Sequence, residues 1–229
     1  MVDINAALRN SPTDLGFVSS SSVSTHTIHR SATSKTKRFI DLIGALIGLM
    51  IVLVLWIPIA IAISLDDAGP ILYKQLRCGL NGKTFYIWKF RSMVVEAEQL
   101  KNLVKNEAQG FIFKNRNDPR VTRVGRFLRQ TSLDELPQFW NVLRGEMSLV
   151  GTRPPTPEEV SNYEPHHFQR LYVIPGMTGE WQVNGRSHIS SFEDIVKMDL
   201  AYQEKWSIRY DIKLILQTLI TVFKRKGAY

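Results

Sequence analysis

An uninterrupted apolar run constrains this chain more than any other feature. No charged residue occurs between Leu42 and Leu65, and a helix of that length is about long enough to cross a bilayer core of roughly 30 Å. A buried helix in a soluble protein is the alternative, but such helices rarely extend so far without a polar face. We therefore predict a membrane helix within residues 38–67.

The residues around the run indicate how it sits in a membrane. Lys35, Lys37 and Arg38 precede it directly, and the positive-inside rule then places the N-terminus in the cytoplasm. The segment after the run is basic as well, so both flanks favour the same side. Pro58 lies about two-thirds along, where a helix can bend. These features favour a re-entrant, Pro-kinked helix over a straight span.

Composition divides the chain into a tail at 1–37, the apolar segment at 38–67 and a domain at 68–229. Residues 1–37 are rich in Ser, Thr and Asn and lack periodicity, which is typical of a disordered tail. Residues 1–67 hold five basic and five acidic side chains, so the domain at 68–229 carries the whole net charge of +8. A basic domain indicates a polyanionic partner: anionic lipid, nucleic acid or a phosphorylated substrate.

A β-hairpin is predicted directly after the apolar run. The segment ILYKQLRCGLNGKTFYIWKF contains two strand-like stretches joined at Asn81-Gly82, a hairpin signal. Alternation puts Lys89 and Arg91, near the end of the second stretch, on one face. They would contact an anion or protect an exposed strand edge.

Further elements complete an α+β pattern of short helices with a small sheet. The aromatic segment EWQV predicts a short strand, and helices are expected from Phe192 to Trp206 and from Ile208 to Lys226. The last helix has one apolar face, which would pack on the core or lie on a membrane interface.

Three arginines form a possible basic stripe. Arg123, Arg126 and Arg129 recur at intervals of three, so on a helix they share one face. A solvated surface, a contact with lipid phosphate and a catalytic role explain this stripe equally well.

A pair of adjacent carboxylates, Asp134 and Glu135, is the strongest candidate for chemistry. Pro137 predicts a helix start beside them, because proline is tolerated in the first turn of a helix. The positive end of a helix favours ionised acids and phosphate. One carboxylate could then attack phosphorus while the other holds a divalent cation. A capping box between Ser132 and Glu135 is the structural alternative, and the two remain open.

With these residues placed, the chain from about Lys37 to Tyr229 resembles the bacterial sugar transferases, the polyprenyl-phosphate hexose-1-phosphate transferases or monotopic phosphoglycosyl transferases. The motifs that carry the resemblance follow one another along the chain. They are QLRCGLNGKTFYIWKFRSM, DPRVTRVGRFLRQTSLDELPQFWNVLRGEMSLVGTRP, PGMTGEWQVNGR and WSIRYDIKLILQT. The chain departs from the usual pattern at Ile57, where Ser commonly precedes the proline, and at Thr152, where the loop commonly reads GPRP.

The resemblance implies an enzyme of the cytoplasmic membrane of bacteria, with its catalytic domain on the cytoplasmic face. Such enzymes transfer a hexose 1-phosphate from a UDP-sugar to undecaprenyl phosphate, release UMP and start exopolysaccharide, capsule or O-antigen synthesis. The implied partners are UDP-sugar, undecaprenyl phosphate and membrane lipids, without nucleic acid; a homo-oligomer is compatible with the family.

The resemblance also assigns roles to individual residues. Asp134 becomes the nucleophile that carries the sugar phosphate, and Glu135 becomes a ligand of Mg²⁺. The implied substrate-binding residues are Lys89, Arg129, Arg153, Asp199 and Asp211.

Two other functions remain as alternatives from the residues. One is a non-catalytic, membrane-anchored basic protein that binds anionic lipid or nucleic acid. Nucleic-acid binders, however, usually interleave aromatic and basic residues on one face, whereas these basic residues flank two acids. The other is a transferase that passes the sugar directly to a lipid and releases UDP.

Overall fold

The computed structural model describes residues 28–111, 113, 115, 117–184, 189 and 191–223. Within these residues the chain forms eight α-helices and four strands. The helices are α1 (Arg30–Thr33), α2 (Lys35–Asp66), α3 (Arg123–Gln130), α4 (Gln138–Arg144), α5 (Pro157–Ser161), α6 (Glu180–Asn184), α7 (Phe192–Lys205) and α8 (Ile208–Phe223). The strands are β1 (Leu72–Cys78), β2 (Thr84–Phe90), β3 (Ser148–Val150) and β4 (Gly176–Thr178). This arrangement confirms the predicted α+β class, with one long apolar N-terminal helix and small sheets.

The predicted hairpin is present. Strands β1 and β2 pair antiparallel, with Leu72 opposite Phe90 and Cys78 opposite Thr84. Asn81 (φ 53°) and Gly82 (φ 77°) both adopt the left-handed conformation in the connecting turn. Asn and Gly are the residues that tolerate this conformation, which explains why the pair marks the turn.

A second, parallel sheet joins β3 to β4 and fixes the loop that follows β3. A Cβ on Gly176 would lie 2.0 Å from the backbone nitrogen of Gly151, so the two chains approach as closely as glycine allows. The predicted strand EWQV is wrong, because these residues lie in α6. Val183 packs there against the cluster that contains Tyr202 and Trp206, and this tertiary contact overrides the strand preference of the aromatic segment.

Helix α2 is part of the core along its whole length. Its buried residues recur at intervals of three, four or seven, which is the spacing of one helical face. They are Lys37, Asp41, Ala45, Gly48, Val52, Ile59 and Ile63. One core cluster joins α2 to β2 and α4 through Ala45, Phe85 and Val142. A second core cluster joins α2 to β2 and α3 through Ile63, Phe90 and Leu128.

Two glycines let α2 lie directly on the domain. A Cβ on Gly48 would come within 2.3 Å of the ring of Phe139, and one on Gly44 within 2.5 Å of the side chain of Leu149. Phe139 belongs to α4, the helix that follows the two adjacent carboxylates. The apolar helix therefore supports the element on which the candidate site is built.

Both ends of α2 are bonded to the same domain. At its start, the Lys37 ammonium lies 2.6 Å from a carboxylate oxygen of Asp211, and Arg38 donates to two carbonyls at the end of α4. At its end, Asp66 accepts a hydrogen bond from the backbone N–H of Val124 at 2.8 Å. Lys37 and Arg38, which precede the apolar run, thus bind the protein itself.

The course of α2 bears on the topology predicted for it. The helix is continuous from Lys35 to Asp66 with Pro58 inside it, so helical structure is not interrupted at the proline, and the re-entrant course in a membrane stays a prediction. By length and composition, α2 is long and apolar enough to cross a membrane, and 22% of its most apolar 18-residue window is buried against the domain. The face directed away from the domain remains strongly apolar, and Leu53, Val54 and Leu65 are 68%, 73% and 83% exposed.

The boundary predicted for the N-terminal tail is also corrected. Arg30–Thr33 and the start of α2 at Lys35 are helical, so order begins before residue 37. His29 donates its backbone N–H to the carbonyl of Tyr172 at 3.0 Å, which attaches this segment to the domain. Residues 1–27 of the predicted tail lie outside the described residues.

Candidate active site

A cavity of 740 Å³ contains the predicted carboxylates. It lies between the hairpin, α3, the turn before α4 and the loop after β3. Five of the predicted site residues line it: Lys89, Arg129, Asp134, Glu135 and Arg153. The structure therefore brings together groups that are up to 64 positions apart in the sequence.

The turn before α4 presents the two carboxylates to this cavity. Asp134 and Glu135 lie in a 3₁₀ turn, Leu133–Glu135, and α4 begins directly after Pro137. The predicted helix start is therefore confirmed. Ser132 makes no side-chain capping bond, so the alternative reading as a capping box is wrong.

Ser132 adopts a conformation that bends the chain sharply at this point. Its φ and ψ of 56° and 17° are left-handed, a region that costs a residue with a Cβ roughly 1–2 kcal/mol. The bend lies between the end of α3, which carries Arg129, and the turn that carries Asp134. Backbone strain of this kind is common where geometry at a site is over-determined by its surroundings.

Lys89 and Glu135 form an ion pair at the edge of the cavity. The ammonium lies 2.8 Å from the carboxylate, with the two side chains 25% and 32% exposed. Lys89 was expected to contact phosphate, and in this structure it neutralises the carboxylate expected to hold a metal. The pair is accessible enough for a ligand to exchange with either partner.

The two predicted arginines are held by neutral and acidic partners. Arg129 donates from Nε to Ser92 Oγ at 2.9 Å. Arg153 lies 3.3 Å from both oxygens of Glu159. Burial alone would raise the pKa of Glu159, but Arg153, Arg77 and the backbone N–H of Thr156 outweigh burial and lower that pKa. Glu159 is therefore ionised and orients Arg153.

Thr152, one of the departures from the family pattern, has a defined place in this loop. It is 2% exposed, and its hydroxyl donates to the carbonyl of Arg170 at 3.0 Å. The hydroxyl therefore fixes the residue before Arg153 by a hydrogen bond.

Asp199 and Asp211 need correction, because neither lines the cavity. Asp199 is 1% exposed and accepts from Arg170 Nε at 2.8 Å. Asp211 is 3% exposed and accepts from Lys37, Tyr202 and Trp206. Both carboxylates hold helices together in the core, so we assign them structural roles and not contacts with substrate.

Arg91 has a structural role at the end of α2. Its guanidinium lies 3.0 Å from Asp67 and also donates to the backbone there. It reaches the cavity wall as well. The alternation that grouped it with Lys89 therefore predicted its location but not its partner.

A row of cavity residues on β1 was not assigned to the site from the sequence. Tyr73, Gln75 and Arg77 line the cavity at alternate positions of the strand, with Tyr73 directly opposite Lys89 on β2. Arg77 is 9% exposed, and burial, followed by the charge of Arg153, lowers its pKa to about 10. It remains a cation near neutral pH. The alternation that selected Lys89 and Arg91 would have found this row if applied to the first strand.

The donor chemistry of the cavity suits a hard cation. Asp134 and Glu135 are adjacent carboxylates in the lining of one cavity, and Mg²⁺ prefers one or two carboxylates together with substrate phosphates. The residues present therefore fit the Mg²⁺ that the family resemblance implies.

A group of two histidines and a glutamate elsewhere is less suited to a metal. His166, His167 and Glu193 have possible ligand atoms within 4.8 Å of one another. However, Nδ1 of His167 accepts the backbone N–H of Glu164 at 2.9 Å, so in the neutral ring the proton is on Nε2. That nitrogen faces Glu193 at 2.6 Å as a donor and has no lone pair for a metal.

The cavity combines a pair of adjacent carboxylates with lysine and arginine side chains. The chain belongs to the bacterial sugar transferase family, whose profile matches residues 32–225.

Named relatives agree with this assignment. A galactosyl transferase, CpsE, of Streptococcus agalactiae is 50% identical over 84% of this chain and 43% of its own length. An undecaprenyl-phosphate galactose phosphotransferase of Salmonella typhimurium is 38% identical over 95% and 47%. A UDP-glucose:undecaprenyl-phosphate glucose-1-phosphate transferase of Escherichia coli is 40% identical over 84% and 41%. The chain thus spans about half the length of the curated relatives it matches.

Proposed function

We propose that this protein is a phosphoglycosyl transferase that moves a hexose 1-phosphate from a UDP-sugar to undecaprenyl phosphate and releases UMP. This reaction would start the synthesis of an exopolysaccharide, a capsule or an O-antigen. One observation carries the proposal: Asp134 and Glu135 line a cavity together with Lys89, Arg129 and Arg153. The printed activities of the relatives support the substrate classes.

The first step is a displacement at phosphorus. A carboxylate oxygen of Asp134 attacks the phosphorus that bears the sugar. A new oxygen–phosphorus bond forms, the diphosphate bond breaks, and its electron pair leaves with UMP. Arg129 and Arg153 offer charge-assisted hydrogen bonds to the phosphate oxygens, which carry increasing charge as the bond breaks.

The second step regenerates the carboxylate. An oxygen of undecaprenyl phosphate attacks the same phosphorus, the bond to Asp134 breaks, and Asp134 leaves as an anion. The product is a lipid-linked diphosphate sugar.

Glu135, which pairs with Lys89 in this structure, is the residue that would hold a metal. Glu135 would ligate Mg²⁺, with Asp134 adjacent, and Lys89 would then turn from Glu135 to a donor phosphate. When bound, the metal supplies positive charge that neutralises the diphosphate.

We further propose that the protein sits on the cytoplasmic face of the inner membrane and inserts from that face alone. The outward face of α2 would contact lipid while both of its ends remain on the domain. Helix α8 adds apolar residues that are about half exposed: Ile212, Leu216, Leu219 and Ile220. An apolar helix face of this type can lie in a membrane interface.

The alternative of a non-catalytic basic protein is less consistent with the cavity. Within the described residues, several cavity cations are paired with carboxylates of the same cavity, such as Lys89 with Glu135 and Arg153 with Glu159. A surface that binds polyanions by charge alone gains nothing from acids at its centre.

The products test the proposed reaction. Membranes containing the protein are offered a panel of UDP-sugars with undecaprenyl phosphate, and both UMP and UDP are measured. We expect UMP from at least one donor. Formation of UDP instead would indicate direct sugar transfer, and the absence of both products would contradict the proposal.

Cysteine labelling tests the proposed topology. Cys78 is 4% exposed, and burial raises the pKa of its thiol, so it reacts poorly and gives a low background. We expect cysteines introduced at positions 10 and 197 both to be protected from an impermeant maleimide in intact cells and labelled after lysis. Position 197 is suitable because the Lys197 side chain is 75% exposed. Labelling of only one site in intact cells would indicate a span.

A further inference from the structure

Helix α3 separates the three predicted arginines into two environments. Arg129 lines the cavity, whereas Arg123 and Arg126 are exposed on the outside. Phe127, between them, is 52% exposed. The function proposed above uses only Arg129. The outer face of α3, formed by Arg123, Arg126 and Phe127, therefore has no assigned role.

The inner side of α3 fixes how this outer face is oriented. Val124 and Leu128 pack in the cluster that contains Ile59 and Ile63 of α2, and the N–H of Val124 is bonded to Asp66 at the end of α2. One side of α3 therefore rests on the last turns of the apolar helix. The outer face of α3 therefore lies next to the C-terminal end of α2.

Helix geometry gives the order of side chains around α3. At about 100° per residue, Phe127 lies about 60° from Val124, on the side of α2. Arg126 lies about 100° further round, and Arg129 about 60° beyond Arg126, at the cavity. An apolar group, exposed cations and a cavity cation thus follow one another around a single helix.

The exposed cations have capacity for an anion. Within the described part of the chain, neither Arg123 nor Arg126 forms an ion pair at 4.0 Å or less. Arg123 does lie near Asp66, whose pKa it helps to lower. Arg126 is therefore the cation of this face with the most unsatisfied charge, and it is also the nearer of the two to Arg129.

We propose that the outer face of α3 receives the phosphate head of the isoprenoid acceptor lipid and passes it to the cavity. The hydrocarbon chain lies against Phe127 and the exposed face of α2, and the phosphate binds Arg126 before it reaches Arg129. A phosphate monoester with close to two negative charges matches a pair of arginines one helical turn apart. This inference rests on the proposed transferase function and adds the entry site of its second substrate.

Acceptor kinetics in neutral detergent micelles test the proposal, because the acceptor is then the only lipid that carries phosphate. For Arg126→Gln we expect the KM for undecaprenyl phosphate to rise about tenfold, the size of one lost hydrogen bond to a charged group, with kcat changed less than about twofold. Arg126→Lys keeps the charge and should stay within about threefold of wild type. Lys197→Gln is the matched control, because it removes one exposed positive charge far along the chain, on α7, and it should leave the KM unchanged.

A lipid-free half-reaction separates the possible failures. Isotope exchange between labelled UMP and UDP-sugar needs no acceptor, and we expect Arg126→Gln to keep the wild-type rate. Equal loss of exchange and transfer would mean that Arg126 is structural, and an unchanged KM would mean that it does not bind the acceptor; either result overturns the inference. If Arg126→Gln instead weakens binding to phosphatidylglycerol vesicles while the micelle KM is unchanged, the face binds bulk lipid. Failure of the wild type to exchange UMP at all would refute the proposed function itself.

Discussion

Asn in place of Asp134 should reduce UMP release from UDP-sugars by at least about a thousandfold, the scale on which loss of a covalent nucleophile acts. An amide has nearly the shape of a carboxylate but is too weak a nucleophile to form the acyl phosphate with the sugar phosphate. Asp134 is 7% exposed, so the isosteric change should leave its surroundings intact. The rate of UMP release and the UMP exchange reaction both measure the effect.

The control for this substitution removes a different acid from the same cavity. The Glu158 side chain is 74% exposed and pairs with Lys101 at the rim. We expect Glu158→Gln to change UMP release less than about fivefold, since surface ion pairs contribute little. Wild-type exchange in Asp134→Asn, or a trapped sugar phosphate on another side chain, would refute Asp134 as the nucleophile.

The second large effect is expected from a residue outside the cavity, Gly125. A Cβ at this position would lie 2.0 Å from the carbonyl oxygen of Ser92 and 2.6 Å from its carbon. Both are backbone atoms, so neither can rotate away as a side chain would. Gly125→Ala must therefore push α3 off the end of the hairpin and separate Arg129 from its hydrogen bond with Ser92 Oγ.

We expect two measurable results for Gly125→Ala. The free energy of unfolding should fall by about 3 kcal/mol, the upper range for overpacking, and UMP release should fall about a hundredfold, as for a misplacement of about 1 Å. Thermal unfolding in detergent and the UMP assay measure them.

Gly145→Ala provides the control for overpacking. Its φ of 80° is strained for alanine, but the nearest atom lies 3.6 Å away, so it should lose only about 1 kcal/mol. A stable, fully active Gly125→Ala protein would show that α3 does not depend on this close approach.

Local patterns predicted the parts of the fold that local interactions determine. Asn81-Gly82 marked the hairpin because those residues tolerate left-handed backbone. Pro137 marked the start of α4 because proline lacks a backbone N–H, and the N–H groups of the first turn of a helix have no partner within the helix. The carboxylates beside Pro137 were correctly placed for the same reason, and the cavity formed around them.

The wrong predictions share a different cause. Asp211 was expected to touch substrate, but its partner Lys37 is 174 residues away, and no periodicity reports such a pair. Packing on both sides of Pro58, at Val52 and Ile59, keeps α2 on the domain.

The buried bond between Lys37 and Asp211 ties the first long helix to the last one. Expression of residues 68–229 alone would leave the Asp211 carboxylate without its cation and uncover Phe90 and Leu128, which α2 covers. A fragment made by deleting the apolar helix α2 would thus lose part of its hydrophobic core. Purification and kinetics should accordingly begin from the intact polypeptide in detergent, since α2 and the rest of the domain form one folding unit.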